Sequence, residues 1–160
     1  MLRYDPNSLN SYHAPFIVDL LGYSLMPNHF HLIVKQNTDN GLSRFANRIQ
    51  DSYTKYFNTR YDRVGHLLQG PYQFIRVETN DHLLHVLRYV HLNAPVADLS
   101  VDAFDYPWSS ARHYLDPELI LPLDTSLVLA LLPRSKFVAF HSDYQDYARS
   151  LNTIKHLVLE

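Results

Sequence analysis

An α+β fold, an antiparallel sheet with helices packed on it, is what this sequence of 160 residues predicts, and three observations carry the expectation. Two apolar stretches, residues 16–26 (FIVDLLGYSLM) and 29–35 (HFHLIVK), flank a Pro27-Asn28 turn signal, the pattern of an antiparallel hairpin. Leu42, Phe45, Ile49, Tyr53, Tyr56 and Phe57 recur at three- and four-residue spacing, the period of an amphipathic helix. A second helical stretch, DHLLHVLRYVHLN, follows Thr79 and Asn80, either of which can cap it, and Asp81 sets a carboxylate in its first turn.

Each element has its reason in order along the chain. Within the hairpin, alternation sends His29 and His31 to one face of the second strand and Phe30, Leu32 and Val34 to the other, which is read as the core face. NTDNG at 37–41 is loop. The helix after it carries Arg44, Arg48 and Lys55 on its far side, a basic stripe that faces either solvent or a partner. Tyr53, Tyr56 and Phe57 lie at core-packing spacing, with base stacking the lesser reading. Residues 62–70 are a connecting loop and residues 72–78 alternate like a strand. In the next helix Leu83, Leu87, Val90 and Ala94 form the apolar stripe, while His85, Tyr89 and Asn93 stack at four-residue spacing on another side. Beyond Pro95 come an acidic stretch, Trp108-Ser109-Ser110, and helices near 126–132 and 136–151. Trp108 reads as a packing residue.

Composition bounds the function classes. Hydrophobic content of 46% with 19% charged residues is globular, and no apolar run approaches the roughly 20 residues of a membrane span. The first residues, MLRYDPNSLNSYH, lack the apolar core of a secretion signal, so a cytoplasmic protein without membrane partners is expected. The chain has no cysteine, which agrees with that compartment and excludes thiolate metal sites. Any transition-metal site must use His, Asp, Glu, Asn or Gln. The formal charge of −2 argues against a surface that coats nucleic acid throughout, yet charge is segregated. Residues 42–76 hold six Lys or Arg against two Asp, and residues 98–124 hold six carboxylates against Arg112 alone.

The pair His29 and His31 admits three readings: a metal site, an acid/base pair, or two polar residues on the wet side of a sheet. Tyr89 alone would be a boundary residue with a packed ring and a wet hydroxyl. Asn93 alone would be a helix C-cap. His85 stands as a surface residue, a phosphate contact or a proton acceptor.

Four segments taken together are more specific. YSLMPNHFHLIV, SYTKYFNTRYDRVGHLLQGPY, LLHVLRYVHLN and DYPWSSARHYL follow one another with compact spacing. Across residues 17–115 the chain resembles the single-tyrosine HUH transposases, bacterial mobile-element enzymes that include the REP-associated tyrosine transposases and insertion-sequence relatives. HUH denotes His, a hydrophobic residue, His, which His29-Phe30-His31 supplies. The resemblance implies a ferredoxin-like (RRM-like) HUH domain over residues 1–115 and a helical C-terminal extension over residues 116–160. It implies Tyr89 as nucleophile and His29, His31 and Asn93 as ligands of Mg²⁺ or Mn²⁺; with DNA as partner, the basic stripe of Arg44, Arg48 and Lys55 is expected on its backbone, and a DNA hairpin contact is the second reading of Trp108. The implied activity is metal-dependent cleavage and joining of single-stranded or hairpin DNA through a 5′-phosphotyrosine, by a monomer or a homodimer.

The chain departs from the family pattern in three places. About fifteen residues precede Phe16 where relatives carry a further strand, Gly70-Pro71-Tyr72 stands where they have GRY, and Asn93-Ala94-Pro95 stands where they have NPV. From these departures follows the alternative of a catalytically inactive, truncated DNA-binding relative. A metal-dependent hydrolase using His29 and His31 without a covalent intermediate is the more distant alternative.

Overall fold

The structure, a computed structural model, describes residues 16–70, 72–116, 118–119 and 122–144. The N-terminal segment expected to lack a strand, Pro71 and the predicted helical residues beyond 144 lie outside the described residues. The fold is α+β: a two-stranded antiparallel sheet, helices packed on it, and further helices toward the C-terminus. In chain order the elements are β1 (Val18–Leu25), β2 (Phe30–Gln36), α1 (Gly41–Arg60), α2 (Asn80–Val96), a 3-10 turn (Ala111–Tyr114) and α3 (Ser126–Leu131). Residues 134–144 are helical as well and are called α4.

The chain divides into two compact units. One holds Leu20–Val34 and the described residues from Val77 onward. Its hairpin closes where the Met26 N–H donates to the His29 carbonyl (2.9 Å), leaving Pro27 and Asn28 as a two-residue loop. Leu21 and Ile33 of the sheet pack with Leu83, Leu87 and Val90 of α2 and with Phe137 of α4. Gly22 permits the approach of helix to strand: a Cβ there would lie 2.6 Å from the Leu87 methyl and 3.4 Å from that of Ile33. Thr79 caps α2 by accepting a hydrogen bond from the His82 N–H (3.1 Å).

The core face of β2 is the reverse of the sequence expectation. Ile33 is 6% exposed and belongs to the core, whereas Phe30 is 37% exposed. Period-2 alternation assigns residues to two faces but does not say which face a helix will cover. Ile33 shares its face with His29 and His31, so the histidine face is the one turned toward α2, with core at one end and polar groups at the other.

A second difference concerns sheet membership. Residues 72–78 alternate like a strand but form no strand, because alternation without a pairing partner leaves the backbone unladdered. The neighbour that β1 does acquire comes from the Trp108-Ser109-Ser110 segment. Ser24 and Ser109 form an antiparallel bridge, the Leu25 N–H donates to the Trp108 carbonyl (2.8 Å), and the Ser110 N–H donates to the Tyr23 carbonyl (2.9 Å). This segment is pinned through its backbone, and the Trp108 indole is 61% exposed rather than packed. Tyr114 adds a side-chain tie: its hydroxyl donates to the Leu21 carbonyl while its ring stacks on Phe137 (4.7 Å, 12°).

The other unit comprises the described residues up to Asp19 and those of Lys35–Arg76. Helix α1 begins at Gly41, where a Cβ would meet the Ile17 carbonyl oxygen at 2.5 Å; Asn40 before it takes the left-handed region at φ 56°. Asp19 holds the Lys35 ammonium (3.2 Å) and the Asn37 amide (2.8 Å). Along α1 only Gly41 is buried. Tyr53 and Tyr56 are 48% and 62% exposed, so they are not the core residues their spacing predicts.

Candidate active site

His29 and His31 lie on one face, as alternation requires, with ring centroids 4.9 Å apart and edge to face. The His31 ring also meets that of Tyr89 edge to face at 5.7 Å. Helix α2 brings Tyr89 there because Leu87 and Val90, on either side of it in sequence, are seated in the core. Tyr89 itself stays 59% exposed, its ring at the rim of the helix.

Each candidate side chain has a defined hydrogen-bonding state. His29 Nδ1 donates to Asn28 Oδ1 (2.7 Å), which leaves its Nε2 with a lone pair. His31 Nε2 is buried without a hydrogen-bond partner. Burial, and after it the charge of His29, lowers the His31 pKa below the usual histidine value and favours the neutral ring. The Asn93 amide nitrogen donates back to the Tyr89 carbonyl (3.0 Å), leaving Oδ1 as the open end. Displacing proline to position 95 does not shorten the helix before Asn93: α2 continues to Val96, and the Ala97 N–H still donates to the Asn93 carbonyl (3.0 Å).

The fit of a divalent cation is testable on these groups. Two imidazole nitrogens with available lone pairs and one amide oxygen would make a mixed N/O donor set, which suits such an ion. The orphaned His31 Nε2 is the observation that favours it, since an unmet buried polar atom costs about 1–3 kcal/mol. Among the described residues no group of three His, Cys, Asp or Glu is assembled for a metal, so Asn93 would have to supply the third donor.

His85, one turn before Tyr89, accepts a hydrogen bond at Nδ1 from the Arg88 guanidinium (2.9 Å). Arginine can only donate, so in the neutral ring the proton resides on Nε2. That makes His85 a donor, suited to a phosphate oxygen and unsuited to accepting the tyrosine proton. Arg88 in turn lies over the rings of Phe140 and Tyr144, each at 4.3 Å, and donates to the Phe140 carbonyl (3.2 Å), tying α2 to α4.

A second pair of histidines escaped the sequence reading. His91 and His141 are both buried, stacked at 5.1 Å, with His91 Nδ1 and His141 Nε2 3.0 Å apart. His141 Nδ1 donates to the Phe137 carbonyl (2.8 Å), so its Nε2 accepts from His91 Nδ1. His91 Nε2 then accepts from the Ser110 hydroxyl (2.7 Å), and Ser110 Oγ accepts from the Tyr23 N–H (2.8 Å). The signal was present in the sequence: His91 follows Leu87 by four residues and so falls on the apolar stripe.

In the other unit Arg44, Arg48 and Lys55 are exposed along one side of α1. The helical step of about 100° per residue puts Arg44 and Arg48 opposite Tyr53 and Phe57, while Lys55 borders Tyr56.

Residues 7–93 match the sequence profile of the family described as transposase IS200 like, a span of more than half the chain. The chain belongs to the IS200-like transposase family. The matched span holds His29, His31, Tyr89 and Asn93, and it ends on Asn93. No curated protein and no solved structure matches the chain. In this transposase-family member Ser110, Tyr114, Phe137 and His141, which pack with α2 or hydrogen-bond to its His91, all follow the matched span. Among the described residues no helix is long and apolar enough to cross a membrane.

Proposed function

We propose that this member of the IS200-like transposase family cleaves and rejoins single-stranded or hairpin DNA through a covalent bond to Tyr89 at a divalent-metal site. The observation that carries the reading is the row of rings His29, His31 and Tyr89, at 4.9 and 5.7 Å, with an unmet His31 Nε2 in its middle. His29 Nε2, His31 Nε2 and Asn93 Oδ1 would hold Mg²⁺ or Mn²⁺. Such an ion, when bound, would draw electron density from the scissile phosphate.

The chain's own groups account for the rest. The Asn28 carboxamide fixes the His29 tautomer, and burial keeps His31 neutral, so both imidazoles present lone pairs. Tyr89, exposed at the rim, presents its hydroxyl to a phosphodiester; its oxygen bonds to phosphorus as the bond from phosphorus to the 3′ oxygen breaks. The phenol proton leaves to solvent and the departing oxygen takes a proton, giving a 3′-OH and a 5′-phosphotyrosine. Attack by a 3′-OH on that linkage restores the diester and frees Tyr89, without a nucleotide cofactor. The basic side of α1, with Arg44, Arg48 and Lys55, would hold the strand by its phosphates.

The test is incubation with a single-stranded DNA library and Mn²⁺, followed by sequencing of protein-linked strands. The wild-type chain should carry DNA on Tyr89, and Tyr89→Phe should carry none while binding DNA within a few-fold of wild type, since only a hydroxyl is removed. An adduct that persists in Tyr89→Phe refutes Tyr89 as nucleophile, and binding without any adduct in the wild-type chain identifies an inactive DNA-binding relative.

A further inference from the structure

The last two turns of α1 and the loop behind them carry four aromatic rings in succession, and most of that surface is open. Tyr53 and Tyr56 stack on each other at 6.4 Å and 27°, Tyr53 meets Phe57 at 6.1 Å, and Phe57 meets Tyr61 at 4.4 Å. Tyr53, Tyr56 and Tyr61 are large exposed apolar groups, a costly arrangement if the row served only folding. Cations are interleaved with the rings. The Arg63 guanidinium lies 5.8 Å from the Phe57 centroid and that of Arg60 lies 5.8 Å from Tyr61. Lys55, Tyr56, Thr59 and Arg60 line one shallow, open depression.

The loop is built to hold this pattern. Asn58 donates to the Gly65 carbonyl (2.9 Å) and the Arg63 N–H donates to the Asn58 carbonyl (3.0 Å), folding residues 61–66 back on the helix end. Gly65 at φ 93° makes that return without a Cβ in the left-handed region. Arg63 further reaches Asn58 Oδ1 and the His66 carbonyl, both at 3.4 Å, so its guanidinium is placed over Phe57 before any ligand arrives.

We propose that this end of α1 is a stacking platform for unpaired nucleobases of single-stranded DNA. Tyr53 and Tyr56 take base faces, while Lys55 and Arg60 beside them take the linking phosphates. This rests on the reading of the substrate as single-stranded DNA and adds where its bases are held. The occupant follows from charge and shape together: flat apolar rings flanked by cations match a polyanion that carries flat apolar bases, and every base has a face to offer. From Tyr53 to Tyr61 the helix rises about 12 Å. At the roughly 3.4 Å spacing of nucleotides along a strand that is room for about three bases. The platform is distinct from the Arg44, Arg48 and Lys55 stripe, sharing only Lys55 at its border.

The test compares Tyr53→Leu/Tyr56→Leu with Tyr53→Phe/Tyr56→Phe in the full chain, measuring affinity for an unstructured oligothymidylate and for a blunt duplex of the same length. Loss of base stacking at each ring should weaken oligothymidylate binding by about 10-fold, and by on the order of 100-fold for the pair. The Phe pair should bind within about two-fold of wild type, and duplex binding should be unchanged in both. Equal oligothymidylate affinity in the Leu and Phe pairs overturns the proposal. So does a wild-type dimer in sedimentation that the Leu pair loses, which would make the rings an interface between copies. So does a thermal midpoint in the Leu pair more than about 5 °C below that of the Phe pair, which would make them structural. Protein-linked DNA is measured on the same samples: its absence despite ring-dependent binding refutes cleavage by Tyr89 and supports the platform.

Discussion

Two pairs of histidines lie in one unit of this molecule, and they are opposites. His91 and His141 are fully enclosed and every ring nitrogen has a partner, from the Phe137 carbonyl at one end to the Ser110 hydroxyl at the other. His29 and His31 lie closer to solvent, and there a buried nitrogen goes unmet. Enclosure with complete satisfaction is what a structural polar group needs, because each hydrogen bond made inside replaces one given up to water. The unmet His31 nitrogen lacks that compensation. Histidine count and spacing did not separate the two pairs. Their hydrogen-bond partners did.

The widest separation should come from substituting one member of each pair. His31→Ala should lower formation of protein-linked DNA in Mn²⁺ by several kcal/mol of barrier, on the order of 10³-fold, with the midpoint of thermal unfolding almost unmoved. His91→Ala should do the reverse to stability, costing about 2–4 kcal/mol through a cavity and through the orphaning of Ser110 and His141. Denaturant titration and adduct yield on the same two variants check both halves. A His31→Ala protein as unstable as His91→Ala would erase the contrast.

Acid should sharpen the contrast by about 3 kcal/mol. Burial, reinforced by Arg88 and opposed by the Phe137 carbonyl, pulls His141 down to about 4, while His91, facing it, is held well below the usual value. In the unfolded chain a histidine takes its proton near pH 6.5, which the folded chain refuses until about pH 4. Stability is therefore whole above pH 6.5 and falls as the pH drops to 4, by about 3 kcal/mol from His141 alone. His141→Leu should flatten that part of the stability profile, and an equal acid slope in wild type and variant would be the contrary result.

The smallest effect concerns the basic side of α1. Neutralising Arg44, Arg48 and Lys55 together should reduce the slope of log affinity against log salt by about 0.7 for each phosphate left without its cation, about 2 in all. Adduct formation at saturating DNA should hardly change, because the role proposed for these groups is to position the strand. An unaltered slope would assign the stripe to solvent.

What the sequence made legible was local. The hairpin, α1, α2 and the Thr79 cap depend on turns, periodicity and near neighbours, and each is where the pattern puts it. What it concealed depended on residues far apart. Ser24 finds Ser109 across the chain, Tyr114 finds Leu21, and His91 finds His141, none of which a period of two or 3.6 encodes. The misread face of β2 is the intermediate case: alternation paired Ile33 with the histidines correctly, and only the position of α2 decided that this side was core. For the site, the spacing of His29 to His31 and of Tyr89 to Asn93 was plain in the chain, but the condition of each nitrogen was not. The row of rings on α1 had the spacing of a buried stripe because periodicity reports a shared side, not what covers it.

Gly22 gives the site a gauge. The space between strand and helix at that point is too thin for one more carbon, with Leu87 already 2.6 Å from where it would sit. Tyr89 is two residues along the same helix and His31 two residues along the strand from Ile33, which walls the same gap. A hydrogen atom in place of a methyl group thus helps set how far Tyr89 stands from His29 and His31. The chemistry proposed for Tyr89 would slow about 10²-fold for a displacement near 1 Å. For the proposed reaction, a position with no side chain at all would then be as exacting about identity as the tyrosine itself.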